Sequence, residues 1–306
     1  EMCIRDSLGE ATVTAALAEA SAEGYVGRSA FRSRRPVEIA VVRPDLLAAC
    51  GDGTALLEAL EGRPARPRPR PPGPTVHALD GRPTWIVDAE TCAHVALVAC
   101  RGADWLRERG EAEDPGTMIF EVAGAIERPG LYELPLGTRL GELLFEHAGG
   151  VAEGRKVGAV LPGGLGAGAL TPGQLDVPLR EAALRAQGSA LGRGSVVVVD
   201  DATCMVAVAE AIGARSRALA CGHAVHCREA TPWIHELLRR IGEGAGAQGD
   251  LDWLVALCDE LSSDDHCGLA DRCGAPVRSL VGLFRDDFDA HLHGAGCGRG
   301  REGVLA

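Results

Sequence analysis

The sequence predicts a multi-domain protein of the α+β class, in which strands and helices occupy separate segments of the chain. Three observations support this class. Short apolar runs of strand type, separated by turn residues, fill the middle of the chain. After residue 201 the apolar residues recur instead with helical spacing. The length of 306 residues is enough for two or three domains.

The N-terminal part of the chain carries mixed signals. Residues 1–7 do not continue into the helical pattern that follows, and we interpret them as a non-native leader. Beyond them the pattern predicts a helix over 11–23, a strand over 37–42 and a helix over 54–60. The run 63–74 is rich in Pro, which has no amide hydrogen, so it cannot be a helix or a central strand. We expect an extended arm there.

The middle of the chain, residues 115–202, predicts a small β-grasp-like module. The predicted elements are strands 119–122 and 131–134, a helix over 139–147, and strands 157–161 and 195–200. The first two strands flank a turn at Arg128-Pro-Gly, which favours a hairpin. Two strands, a helix and two further strands within this length are typical of an α+β module.

The segment 203–293 predicts a C-terminal four-helix bundle. Its predicted helices are 206–218, a second helix opened by Pro232, 251–261 capped by Asp250, and 277–291 opened by Pro276. Helices joined by short loops in this way are typical of an antiparallel bundle. The Gly-rich segment 294–306 is expected to be a flexible tail.

Composition and charge exclude several functional classes. The net charge of −12 argues against a general nucleic-acid binder, which needs clustered positive charge. No run of 18 apolar residues is present, so we expect no direct membrane insertion. The N-terminus lacks the pattern of a secretory signal, which favours a cytoplasmic protein. In a reducing compartment, the 11 cysteines are expected to be core residues or metal ligands.

One segment concentrates metal-binding side chains. Cys221, His223, His226 and Cys227 place two thiols and two imidazoles within seven residues, and Cys267 follows 40 residues later. Such donors suit zinc or an iron–sulfur cluster, because both need soft ligands that converge on one point. The alternative is that the thiols are small apolar fillers of the bundle, since free Cys is often buried. The spacing alone leaves both interpretations open.

Several segments, taken in order along the chain, resemble one family. They are Cys50-Gly-Asp-Gly-Thr-Ala-Leu, Arg128-Pro-Gly-Leu-Tyr, Asp200-Asp-Ala-Thr-Cys-Met and Cys227-Arg-Glu. Together they resemble the NADH-binding flavoprotein subunit of respiratory complex I and its relatives in soluble hydrogenases and formate dehydrogenases. The resemblance extends over about residues 17–291. It implies that residues 8–114 are a partial remnant of an α/β domain that binds FMN and NADH, and that 115–202 is a soluble-ligand-binding β-grasp module.

The resemblance also implies a cofactor in the bundle. Members of this family pass a hydride from NADH to FMN and then single electrons to a four-iron cluster. The family motif is Cys-x-x-Cys-x-x-Cys with a fourth Cys about forty residues later. Cys221 and Cys227 match the outer cysteines and Cys267 matches the fourth, whereas the middle position is Ala224. A methyl group cannot bind iron, so His223, His226, water or a three-iron cluster would have to compensate.

The flavin site implied by the resemblance departs further from the family pattern. Of its paired acidic residues only Asp52 remains, beside Gly53, and its Asn-Asn pair is replaced by Val87-Asp88. The Gly-rich loop that holds the flavin phosphate is expected upstream of Glu10, and the sequence does not contain it. FMN and NADH are therefore implied by the family alone, and this chain by itself is expected to be inactive.

Two functions follow from the resemblance. In the first, the chain is a subunit or fragment of an NADH dehydrogenase (NADH:quinone oxidoreductase) and transfers electrons through an iron–sulfur cluster. In the second, it is a non-catalytic paralogue that serves as an assembly or interaction subunit, with zinc or no metal. The family implies other subunits of such a complex as partners, including a thioredoxin-like ferredoxin subunit. It also implies a peripheral position on the inner face of the cell membrane through the complex.

Overall fold

The computed structural model describes residues 7–32, 36–42, 53–68, 78–262 and 269–301. These residues form eleven α-helices and six β-strands, so the predicted mixed α+β class is confirmed. The chain divides into two compact units, residues 1–92 and residues 93–306, which are taken separately below. Most of the predicted leader and the second half of the Pro-rich run lie outside the described residues.

The first unit contains short helices and one small hairpin. Its elements are α1 (Ser7–Ala22), α2 (Gly53–Leu60), β1 (Ala78–Leu79), β2 (Arg82–Pro83) and the start of α3 (Ala89–Arg101). The apolar face of α2 is buried through Ala55 and Leu57. The backbone N–H of Arg68, in the Pro-rich run, donates to Oγ1 of Thr54 at 2.8 Å. The described start of that run therefore folds back onto α2.

One strand expected in this unit is absent from the described residues. Val37 forms only an isolated bridge with Gly27, and residues 38–42 have no regular structure, so the predicted strand over 37–42 is wrong. A strand is stabilised by a ladder of hydrogen bonds to a neighbour. The segment that faces Val37 turns away into a 3-10 turn at Ala30–Arg32, so no ladder continues beyond the bridge.

The second unit begins with the rest of α3 and α4 (Ala103–Arg107) and contains a four-stranded sheet. Its strands are β3 (Thr117–Gly124), β4 (Gly130–Pro135), β5 (Val157–Leu161) and β6 (Ser195–Asp200), in the order β4-β3-β6-β5. β3 pairs antiparallel with β4 in the predicted hairpin, with Phe120 opposite Tyr132. β6 runs parallel to β3 and antiparallel to β5.

Two helices cover one face of this sheet. They are α5 (Leu140–Glu142), which continues as a π-helical turn over Leu143–His147, and α6 (Glu181–Ala186). Their buried leucines join a core with residues of all four strands: Phe120, Leu134, Leu140, Leu143, Leu144, Val160, Leu184 and Val198. The first helix was predicted from the sequence, whereas α6 was not.

The remaining helices pack around a second core. They are α7 (Met205–Leu219), α8 (Val225–Gly242), α9 (Asp250–Ser262), α10 (Leu269–Leu283) and α11 (Arg285–Leu292). α7, α8, α9 and α10 contact one another in a closed cycle, and α11 packs against α7, α8 and α10. None of the helices in the described ranges is both long and apolar enough to cross a membrane.

Strand β6 connects the sheet with the helices, because its valines belong to both hydrophobic cores. Val196 and Val198 point into the core under α5 and α6, whereas Val199 lies in the core of the helices and Val197 packs against it. The strand is buried on both faces, which accounts for its run of four valines. A hydrogen bond of 2.8 Å from the N–H of Ala169 to Oγ of Ser279 also joins the two regions.

The two prolines expected to open helices lie inside them instead. Pro232 is in the interior of α8 and Pro276 in the interior of α10. An interior Pro removes one backbone hydrogen bond and costs a helix about 3 kcal/mol. In α8, Ala230 lies two residues before Pro232 and Ile234 two residues after it. Both are buried in the same core. Packing of this apolar face outweighs the local preference of Pro for a first turn.

The C-terminal segment 294–301, expected to be flexible, makes specific contacts. The N–H of Cys204 donates to the carbonyl oxygen of Gly300, and the N–H of Gly300 donates to that of Ala202, both at 2.8 Å. Nη2 of Arg301 lies 2.7 Å from a carboxylate oxygen of Glu210 in α7. The segment therefore lies against the start of α7.

Candidate metal-binding sites

The predicted metal-binding segment lies at the N-terminus of α8. Gly222 has a φ of +81°, a left-handed conformation that favours Gly and turns the chain after Cys221. Ala224 is the extended residue just before the helix, and Cys227 lies in its first turn. The unpaired N–H groups of a helix N-terminus favour negative charge, so this position suits thiolate ligands.

The four described donors of this segment differ in exposure. Cys227 is only 5% exposed and packs into the helical core, whereas Cys221 is half-buried. His223 and His226 are exposed. Nδ1 of His226 lies 2.7 Å from Oε1 of Glu260 in α9. When Nδ1 donates to this carboxylate, Nε2 keeps its lone pair and can bind a metal, an arrangement common around metal-bound histidines.

The structure does not assemble these donors into one centre within its described residues. No three of Cys221, His223, His226 and Cys227 belong to a group of described donor atoms within metal-binding reach of one another. Cys267, the predicted fourth cysteine, lies outside the described residues, as does Asp52 of the predicted flavin site. The ligand set of the cluster therefore stays a prediction.

A different set of donors does converge. Cys204, His291 and Cys297 place one ligand atom each within 4.8 Å of one another, in the part of the chain that the structure describes. Sγ of Cys204 lies 3.4 Å from Nε2 of His291, and the same nitrogen lies 3.3 Å from Sγ of Cys297. Cys204 is the N-cap of α7, His291 is in α11 and Cys297 is in the C-terminal segment.

Burial shifts the pKa values of Cys204 and His291. It raises the pKa of the Cys204 thiol, and the neighbouring Cys297 thiol raises that pKa further. The first N–H groups of α7, at Ala207 and Val206, act in the opposite direction. Burial also lowers the pKa of His291, and the positive charge of Arg301 adds to this effect. The lowered pKa favours the neutral imidazole, which is the form that binds metals.

Sequence reasoning missed this group. Cys204 is fully buried. The sequence pattern places Cys297 in an expected flexible tail and His291 at the end of a predicted helix. His291 and Cys297 are six residues apart, which is a weak signal, but Cys204 is 87 residues from His291. Only the packing of α7 against α11 brings them together.

Two family models match parts of the chain. The iron–sulfur binding region of NADH-ubiquinone oxidoreductase-F matches residues 207–291. The SLBB domain matches residues 119–164, which lie in the sheet region.

Comparisons over most of the chain identify the family. The NADH-quinone oxidoreductase F 2 subunit of Rhizobium meliloti is 41% identical over 92% of this chain and 67% of its own length. The chain belongs to the family of NADH-quinone oxidoreductase F subunits. A second F subunit, from Mycobacterium bovis, is 39% identical over 92% of this chain and 63% of its own length. The chain thus spans about two thirds of the length of these curated relatives.

A solved structure agrees with membership of the F-subunit family. A chain of an NAD⁺-reducing [NiFe]-hydrogenase in the air-oxidized state superimposes with a TM-score of 0.75 and 32% identity. The match covers 89% of this chain and 45% of the hydrogenase chain. The predicted resemblance to complex I flavoprotein subunits and soluble hydrogenases is confirmed.

The match to the iron–sulfur binding region also supports the predicted class of metal cofactor. Cys221 and Cys227 lie within residues 207–291, the first in the loop before α8 and the second in its first turn. Cys204 and Cys297 lie outside that range. FMN and NADH remain implied by the F-subunit family alone.

Proposed function

We propose that this chain is the electron-transferring part of an NADH dehydrogenase, in keeping with its F-subunit family, and that its iron–sulfur cluster binds at the N-terminus of α8. The observation that carries this proposal is the position of Cys221 in the loop before that helix and of Cys227 in its first turn, inside the matched iron–sulfur region. The two cysteines therefore lie on either side of the helix start.

The donors present fit a cluster with three thiolates and one different ligand. Cys221, Cys227 and Cys267 supply sulfur, and Ala224 cannot bind iron. Of the two nearby imidazoles, we assign the fourth position to His226, because Glu260 orients its ring through Nδ1. A cluster bound here would supply storage of single electrons. Burial of Cys227 against the helical core would keep water away from one side of it.

The finer domain organisation belongs to the same proposal. We assign residues 8–114 to a remnant of the flavin domain, 115–202 to a β-grasp module, 203–293 to the cluster-bearing bundle and 294–306 to a tail. The SLBB match and the four-stranded sheet support the second assignment, and the packed helices support the third. No catalytic residue is assigned to this chain, and Asp52 is kept only as the remaining acidic residue of a flavin site.

The partners follow from the names of the relatives. These are subunits of NADH-quinone oxidoreductases and of an NADP-reducing hydrogenase. We therefore propose that the chain assembles with other subunits of such a complex, including a thioredoxin-like ferredoxin subunit. The proposed location is cytoplasmic, at the inner face of the cell membrane through the complex.

Metal analysis of the anaerobically purified chain tests this function. We expect iron and acid-labile sulfide in near-equal amounts, with an EPR signal after reduction by dithionite. Cys227→Ser should abolish both. Cys258→Ser is the matched control, because Cys258 is also a buried thiol of the bundle but lies outside the motif. It should retain the iron. Ala224→Cys completes the motif and should give a cluster of about four irons.

Other results would point to the second candidate. Zinc without sulfide at the motif would contradict the electron-transfer function. Absence of any metal at the motif, in both the native chain and the Ala224→Cys variant, would contradict it as well. The chain would then be a non-catalytic assembly subunit, an interpretation that the Ala224 departure favours.

A further inference from the structure

A second candidate metal centre lies apart from the cluster motif. Cys204, His291 and Cys297 come from three separate segments and meet beside the start of α7. We propose that they bind one Zn²⁺ ion, and that this ion fixes the C-terminal segment 294–301 to the helical bundle. The proposal does not depend on the iron–sulfur cluster, since none of these residues is a ligand assigned to that cluster.

The separations fit a tetrahedral zinc ion. With Zn–S of about 2.3 Å and Zn–N of about 2.0–2.1 Å, tetrahedral angles place a ligand sulfur and nitrogen about 3.6 Å apart. The two observed sulfur–nitrogen distances are 3.4 and 3.3 Å. The two sulfur–nitrogen pairs therefore need shifts of only a few tenths of an ångström, and the two sulfurs already lie within 4.8 Å of each other. Two thiolates and an imidazole are the donor types that zinc binds in proteins.

Nε2 of His291 already faces the two sulfurs. The backbone of Gly242 lies near the same imidazole. The carbonyl oxygen of Gly242 accepts a hydrogen bond from Nη1 of Arg301, so this residue of α8 lies beside both the histidine and the C-terminal segment.

The ligand positions explain what the ion would do. Cys204 begins α7, and Cys297 is the only one of the three ligands in the segment after α11. That segment is held by two backbone hydrogen bonds of Gly300 just before α7, and by contacts of Arg301 with Glu210 in α7 and with Gly242 in α8. Arg299 also pairs with Asp287 in α11. A zinc ion bound to both Cys204 and Cys297 would add a further link between the start of α7 and the C-terminal segment. Three protein donors leave the fourth position of zinc to water.

Binding of zinc by the full chain can be separated from binding of iron. The chain is purified anaerobically, equilibrated with Zn²⁺ and desalted, and zinc, iron and sulfide are then quantified together. We expect about one zinc per chain, with two sulfur neighbours in the zinc X-ray absorption spectrum. Cys297→Ser should reduce zinc about tenfold and leave iron unchanged. Cys227→Ser should reduce iron and leave zinc unchanged, which makes it the matched control.

A second measurement reports on the C-terminal segment itself. Trypsin cleaves after Arg299 and Arg301, and removal of zinc with a chelator should accelerate cleavage at these sites in the native chain. In Cys297→Ser the rate should already be high and insensitive to the chelator. Cys297 is only half-buried, so this variant is expected to fold. Circular dichroism would verify this.

Three results would overturn the proposal. The first is zinc content that is the same in Cys297→Ser and in the native chain. The second is absence of bound zinc after equilibration of correctly folded chain. The third is a disulfide between Cys204 and Cys297 in the anaerobic protein, which mass spectrometry would detect as a loss of two hydrogens, since a disulfide consumes both thiols.

Discussion

At the residue scale, Asp88 has a defined local structural role. It immediately precedes α3. Oδ1 accepts from the N–H of Thr91 at 2.7 Å, and Oδ2 accepts from Oγ1 of the same residue at 2.9 Å. The hydrogen bond from this backbone N–H lowers the pKa of Asp88 below the ordinary 3.8. Its carboxylate therefore caps α3.

This cap has a defined pH dependence. A carboxylate with a lowered native pKa stabilises the fold above its unfolded pKa, and the effect is lost as the pH falls through the native pKa. At pH 7, Asp88→Ala should lower the free energy of unfolding by about 1 kcal/mol, whereas Asp88→Asn should keep the cap. Denaturant unfolding between pH 7 and pH 3 measures this. Below the ordinary pKa of 3.8, the free energy of unfolding of the native chain should fall relative to that of Asp88→Asn. Equal stability of the Ala variant and the native chain would contradict this role.

At the scale of elements, the close approach of α9 and α10 depends on one glycine. A Cβ added at Gly274 would lie 2.6 Å from the carbonyl oxygen of Cys258, far inside van der Waals contact. The obstacle is backbone of the neighbouring helix, so it cannot move aside as a flexible side chain would. Gly274 therefore sets how closely these two helices pack.

Two substitutions on the same helix test this. Gly274→Ala should destabilise the chain by about 1–3 kcal/mol, because the helices must separate to admit the methyl group. Gly282→Ala is the matched control, since an added Cβ there meets nothing within 4 Å. The control should be neutral or stabilising by up to about 1 kcal/mol, because Ala favours helix more than Gly. Similar effects of the two substitutions on the denaturation midpoint would show that helix propensity, and not packing, dominates.

At the scale of the whole molecule, the sheet and the helices share a strand. β6 contributes alternate valines to two cores, one under α5 and α6 and one among α7–α10. Both cores lie in the unit of residues 93–306. The boundary expected between residues 202 and 203 therefore separates two segments of sequence that share strand β6 and belong to one compact unit.

Truncated chains can measure this dependence. Residues 93–306 should unfold in one cooperative transition, as followed by circular dichroism in denaturant. Residues 203–306 alone should lose cooperativity and aggregate, because the apolar surface that packs on Val199 and Leu161 becomes exposed. The contrary result would be a monomeric 203–306 fragment with the same midpoint as the longer one, which would make the bundle an independent domain.

Local patterns predicted much of this fold. Strands 157–161 and 195–200 agree with the structure to the residue, and the hairpin forms as expected, because apolar runs bounded by turn residues have few alternatives. The metal-binding segment at 221–227 was also visible, since its donors are close in sequence. The positions of Pro232 and Pro276 inside helices could not be predicted in this way. Burial of the flanking apolar residues outweighs the preference of Pro for the first turn of a helix.

The sequence by itself determined the α+β class, the four strands of the larger sheet and the family, and it predicts the cysteines of the iron–sulfur motif. Each of these depends on residues that are neighbours in the chain or on a motif of fixed spacing. Only the tertiary structure decided that β6 is buried on both faces and that Cys204 meets His291 and Cys297. The reason is physical: donors 87 residues apart become neighbours only when helices pack, and packing depends on the whole core.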